Sequence, residues 1–300
     1  MPPRACAFLL AAALPALFAG CATPLQPVAD FGGAAGHLAS AYRPFAQGVA
    51  ASCEQRLRFK AIGNPGRFDE ATVTHEVAAE CAPLKEAGAT AALFGQTLGD
   101  YAAALVKLAD TRPTVFDDDI KAVSGAAAKL EHRDGTAVFD SGKLGAAGKL
   151  ARAAAALLMQ QRTARLTRAT LAGDREALVT VVGAMKSYAD WIYAHQVSNA
   201  QDVLKVELAR LEAASVAPTQ ADVDARLPWR YAQFALRDDI AANAAALRRV
   251  DAFDKAADAL LAAHAALIDD FDKLDGASRL AQVSAFVAQV QAIEDDVGAL

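Results

Sequence analysis

The sequence predicts an all-α protein: an elongated antiparallel bundle of about seven long helices, or two stacked helical bundles of the same kind. Three observations carry this. Alanine supplies 76 of the 300 residues while aromatics supply 7%, so the 54% hydrophobic content is made mostly of small, helix-favouring side chains. Apolar residues recur at spacings of three and four along most of the chain. No run of alternating, β-rich residues interrupts them.

Residues 33–60 carry Leu38, Tyr42, Phe45, Val49 and Leu57 on one face, with Pro44 as an expected kink, and stop at the breaker cluster Gly63-Asn64-Pro65-Gly66. A short helix over 69–80 leads to Pro83, where a second is expected to begin and run through Leu93, Leu98, Tyr101, Leu105 and Leu108. After Thr111-Arg112-Pro113, the run Asp117-Asp118-Asp119 sits where a helix N-terminus favours negative charge, ahead of Ile120, Val123, Ala127 and Leu130. A loop over 132–141 marks the one place where the chain could divide. Leu150, Leu157 and Leu171 then place a helix over about 143–171, which Gly173-Asp174 is expected to separate from a long helix reaching Ala214. That helix carries Leu178, Val181, Met185, Tyr188 and Ile192, and then His195 and Asn199 on the same stripe. Beyond Pro218, a segment capped near Thr219 is expected to break at Pro228. A helix from Trp229 to Leu274 and a last one after Ser278 complete the set.

The first 20 residues read as an export signal: Arg4, an apolar run from Ala5 to Phe18, then Ala19 and Gly20. At about 14 residues the run is too short for a membrane span, which needs roughly 20. The tetrad Phe18-Ala19-Gly20-Cys21 resembles the lipobox of bacterial lipoproteins, with Phe18 in place of the usual leucine. The resemblance implies cleavage before Cys21, acylation of its thiol (palmitate among the chains added), and residues 21–30 as a lipidated cysteine and short tether ahead of a helical domain over 31–300. Ala22 after the cysteine, rather than an aspartate, resembles the class retained at the outer membrane. Three acyl chains would anchor the protein without any spanning helix.

With Cys6 lost in the signal and Cys21 acylated, Cys53 and Cys81 remain as an even pair in an exported chain, which points to a disulfide. Cys53 lies eight or so residues before the end of one helix and Cys81 about twelve after the start of the next. An antiparallel hairpin can therefore bring them together.

The search for chemistry returns little. A net charge of −5 without a basic block argues against nucleic acid as partner. The stretch Gly142-Lys143 to Gly148-Lys149-Leu150 lacks phosphate-loop spacing and the metal-binding Ser/Thr. Asp270 to Gly276 misses the fifth, sixth and twelfth positions of a calcium loop. The five histidines form no metal-ligand spacing, and there is no G-x-S-x-G elbow, so no metal, no cofactor and no catalytic residue is expected. His195 and His264 each interrupt an apolar stripe, where a polar group needs a partner. A ligand pocket at His195 and Asn199 is the one small-molecule site the pattern allows.

Charge is unevenly placed. Residues 141–173 hold Lys143, Lys149, Arg152, Arg162, Arg165 and Arg168 with no acid, whereas 251–275 holds seven aspartates. The two stretches are expected to complement each other inside the bundle. The expected role is a periplasmic scaffold or protein-interaction module held at the outer membrane, its protein partner unknown. One alternative is a carrier of a hydrophobic small molecule or lipid, with Tyr188/Trp191/Tyr193 and Trp229/Tyr231/Phe234 around its cavity. Another is a cell-envelope hydrolase, which shares the compartment.

Overall fold

The computed structural model describes residues 25–64, 68–109, 139–159, 164–216, 219–271 and 281–298. The signal segment, Cys21, the Asp117–Asp119 helix start, residues 132–138 of the expected dividing loop, and residues 272–280 lie outside them. All the described elements are helical: α1 (Gln26–Ile62), α2 (Glu70–Ala109), α3 (Ser141–Met159), α4 (Ala164–Ser187), a π-helical turn (Tyr188–Ala194), α5 (His195–Ala214), α6 (Gln220–Asp269) and α7 (Ala281–Gly298). Because α4, the π turn and α5 are continuous, they form one rod of 51 residues, and the described chain amounts to six rods.

Three expected breaks are absent. Helix continues through Pro83 in α2, Pro228 in α6 and Gly173 in α4. A proline deletes one ladder bond and a glycine costs about 1 kcal/mol, but contacts on both sides hold the helix together. Buried Val77, Cys81 and Ala87 flank Pro83, while Leu171, Ala177 and Leu178 flank Gly173. Just after Pro228, Arg230 and Gln233 bond α6 to the end of α5. Helix also begins earlier than residue 31. Helix α1 starts at Gln26 with Pro27 in its first turn, and Leu25, Val28 and Phe31 are already buried.

Ends are set by ordinary capping chemistry. The Asp140 carboxylate accepts from the Lys143 amide at 3.0 Å, and that bond holds its pKa below the usual carboxylate range. The Thr219 side chain accepts from the Asp222 amide at the start of α6.

Ring contacts define the register. Phe31 lies 5.7 Å from both His264 and Phe286, Tyr42 and Phe45 each lie 5.4 Å from Phe253, and Asn243 donates to Gln55 at 3.1 Å. Helix α6 is therefore antiparallel to α1. Tyr42 meets Tyr188 at 6.2 Å and Phe45 meets Tyr193 at 5.1 Å, so the α4–α5 rod runs parallel to α1. Phe139 stacks between Phe94 at 4.6 Å and Tyr188 at 5.7 Å, tying α2 and the start of α3 to the π turn.

Helices α1 and α2 form the closest pair. A Cβ on Gly88 would stand 2.3 Å from the Ala46 carbonyl oxygen, and one on Gly32 would stand 2.8 Å from that of Ala102. Only a residue without a side chain lets the two backbones approach so closely. Farther along the same pair, Cys53 and Cys81 form a disulfide with Cα atoms 5.9 Å apart. Both sulfurs are buried beside Leu57 and Val77. No helix among the described residues is long and apolar enough to cross a membrane.

Candidate functional site

The register gives the bundle two ends. The near end holds Leu25, the start of α1, the C-terminal part of α6 and α7, and the chain reaches it four residues after Cys21. The far end holds the turns between α1 and α2 and between α5 and α6. Helix α1 alone spans about 55 Å between them.

The near half contains the polar group that sequence pattern flagged on α6. His264 is buried, with Nε2 3.3 Å from the Tyr101 hydroxyl and its ring against Phe31. Burial, with the nearby Arg175 charge, depresses its pKa to about 4, so the ring is neutral at physiological pH. The phenol of Tyr101 is pushed well up by burial and then by the neighbouring Asp174 charge. Burial in turn raises the Asp174 carboxyl to about 6, and its Oδ2 has no hydrogen-bond partner. Asp174 also lines an open groove of about 710 Å³ between α3 and α4, together with Lys149, Arg152 and Thr170. Sequence reading found His264 but not this group, because Tyr101 and Asp174 are brought to it from 163 and 90 residues away.

His195 and Asn199 do not share that environment. His195 is exposed at the start of α5 and Asn199 is half-buried one turn later. The reason lies just upstream. The π turn inserts an extra residue into the helix and so rotates the residues beyond it. Tyr188, Ala189, Tyr193 and Val197 stay in the core while His195 swings outward.

The aromatic trios considered as cavity walls divide in the same way. Tyr188 and Tyr193 are core residues, whereas Trp191, Trp229, Tyr231 and Phe234 are exposed. In the acidic stretch, Asp254 at 3.4 Å and Asp258 at 2.6 Å pair with Lys186, outside the basic segment, and α3 packs on α2 and α4. Lys186 stands nearest because α4 lies against α6 at that level.

The far end is where apolar surface collects. From Ala245 to Leu267, α6 buries one stripe in the core: Ala246, Val250, Phe253, Ala257, Leu260 and His264 among others. Toward the start of α6 the buried residues are Leu236 and Gln233, while Leu227, Tyr231 and Phe234, at three-and-four spacing with the exposed Asp238 and Ala242, face solvent. Tyr231 is 71% and Phe234 64% accessible. The cause is length: from the Asn243–Gln55 register, residues 220–235 lie past the level of Ile62, roughly 24 Å of helix with no α1 beside it. Ile62 and Phe68 at the α1–α2 tip are also exposed.

The opposite side of the same stretch is held by α5. Gln233 is buried and donates to the Leu211 carbonyl at 3.1 Å and to the Ser215 hydroxyl at 2.7 Å, and Arg237 donates to Glu212 at 2.7 Å. The ledge is thus presented by a braced helix. Comparison of the chain with family models, with curated proteins and with solved structures returns no match.

Proposed function

We propose that the protein is a lipid-anchored periplasmic scaffold of the outer membrane that presents a protein-docking ledge at the end of its helical bundle opposite the anchor. The observation that carries this reading is the exposed apolar row Leu227, Tyr231 and Phe234 on the part of α6 that extends beyond α1. Large aromatic side chains held in solvent on a braced helix are costly to leave bare, and they are the residue types that dominate protein contacts. The lipobox-like Phe18-Ala19-Gly20-Cys21 supports the anchor, and the buried Cys53–Cys81 disulfide suits an oxidising compartment. An anchor at Cys21, four residues before Leu25, would sit toward the near end, and the ledge lies at the other end of α1, about 55 Å away.

Two measurements test the reading. Labelled fatty acid enters the wild-type chain and is lost with Cys21→Ser, which also releases the protein from membranes. A specific protein co-purifies with the wild type and is lost with Tyr231→Asp, at unchanged thermal stability. An unlabelled wild-type chain overturns the anchor; a bare chain, or one whose partner is indifferent to Tyr231→Asp, overturns the ledge.

A further inference from the structure

Away from the ledge, we infer that the open groove between α3 and α4 binds a small zwitterion, its cationic group held toward Asp174 and its anionic group toward Lys149. The groove, about 710 Å³ in volume, is sorted by charge: α3 supplies the bases Lys149 and Arg152 to one wall, and α4 supplies the acids Asp174 and Glu176 to the other. No ion pair joins Asp174 to Lys149 among the described residues, although their two helices pack side by side. The Asp174 carboxylate is left uncompensated. Its Oδ2 is shut from solvent with no hydrogen-bond partner, and burial acts on the group with no neighbouring cation to oppose it. A half-buried carboxylate without a counter-charge of its own gains most from an ammonium brought in from solution. Glycine supplies the room. Gly145 and Gly173 line the two walls inside their helices, where alanine is the better helix former. A Cβ at either position meets nothing within 4 Å, so no close approach inside the protein calls for the missing side chain. Walls of opposite sign select a ligand that carries both charges, because each wall repels the wrong end. Packed helix axes lie roughly 8–10 Å apart, and a peptide with free termini spans that distance with about three residues.

The test titrates alanine peptides with free termini, from dialanine to pentaalanine, at millimolar concentration into the purified, isotope-labelled chain and reads its amide chemical shifts. A peptide near trialanine in length is expected to saturate shifts within residues 141–156 and 170–180. N-acetylation and C-terminal amidation are each expected to weaken it at least tenfold. Asp174→Asn weakens the free peptide and its C-terminal amide and leaves the N-acetyl peptide unaffected; Lys149→Gln weakens the free and N-acetyl peptides and leaves the amide unaffected. Gly145→Leu fills the groove and removes binding, with helix content kept and the thermal midpoint unchanged or raised. No saturable shift with any of the peptides, shifts centred outside the groove, or a doubly blocked peptide that binds as well as the free one overturns the site. Binding that answers to only one terminus and only one of the two charge substitutions overturns the zwitterion.

Discussion

The two hairpins that reach the far end of the bundle are built on opposite principles. In α1–α2, backbones touch through Gly32 and Gly88, a disulfide joins Cys53 to Cys81, and the apolar stripe is sealed along the pair. In α5–α6, the buried Leu204 and Leu236 are joined toward the tip by polar bonds from Gln201 to the Ile240 carbonyl, Gln233 to Leu211 and Ser215, and Arg237 to Glu212, while Leu227, Tyr231 and Phe234 of α6 face solvent. Directional polar bonds help to set the position of α6 while Leu227, Tyr231 and Phe234 stay exposed. One hairpin buries its apolar surface along the pair; the other leaves part of it exposed.

Breaking the first hairpin should therefore cost stability, and altering the ledge of the second should not. The largest effect is expected from Cys53→Ser with Cys81→Ser: loss of about 3 to 4 kcal/mol by the chain-entropy estimate for a separation of 28 residues, read by chemical denaturation. Next comes acid. His264 has a folded pKa of about 4 against an unfolded value near 6.5, so the unfolded chain binds the extra proton between them. Its neutral, buried state adds nothing to the pH dependence above about 6.5, and stability falls by roughly 2 to 3 kcal/mol as pH drops from there to about 4. His264→Gln should flatten that part of the profile. Gly88→Ala forces a methyl against the Ala46 carbonyl and should cost about 2 kcal/mol, with helix content retained.

Asp174 works in the opposite sense. Its folded pKa of about 6 lies above the unfolded value, so its contribution is present at low pH and lost as pH rises from about 4 to 6. Asp174→Asn should stabilise the protein at pH 7 by about 1 kcal/mol, after discounting for a half-exposed carboxyl, and leave acid stability unchanged. The smallest effect belongs to the ledge: Phe234→Ser should change stability by less than about 0.5 kcal/mol. A loss above about 2 kcal/mol there would mean that the stripe is part of the fold, and the contrast between the hairpins would collapse.

Much of the scaffold is legible in the amino-acid order. Three-and-four periodicity locates the helices, and the leftover pair Cys53 and Cys81 locates the bridge, because both signals are local or come from counting. Helix boundaries are less legible. Pro83, Pro228 and Gly173 carry the local chemistry of breaks, yet long-range contacts outweigh their cost of one bond or about 1 kcal/mol. His195 and Asn199 lie off the core stripe for a related reason: the π turn at Tyr188–Ala194 shifts the helical phase, and nothing in its sequence announces the extra residue. Trp229, Tyr231 and Phe234 stand out as aromatic, but their exposure depends on where α1 ends alongside α6.

Sequence alone determined that this chain is helical, that its helices pair head to tail, and that two of its cysteines can meet, since periodicity, breakers and pairing arithmetic are properties of neighbours along the chain. Tertiary structure decided which apolar residues remain in water. An apolar residue on one helix is buried or exposed according to whether another helix lies beside it, and that depends on the relative lengths and offset of rods whose contacts are about 150 to 230 residues apart.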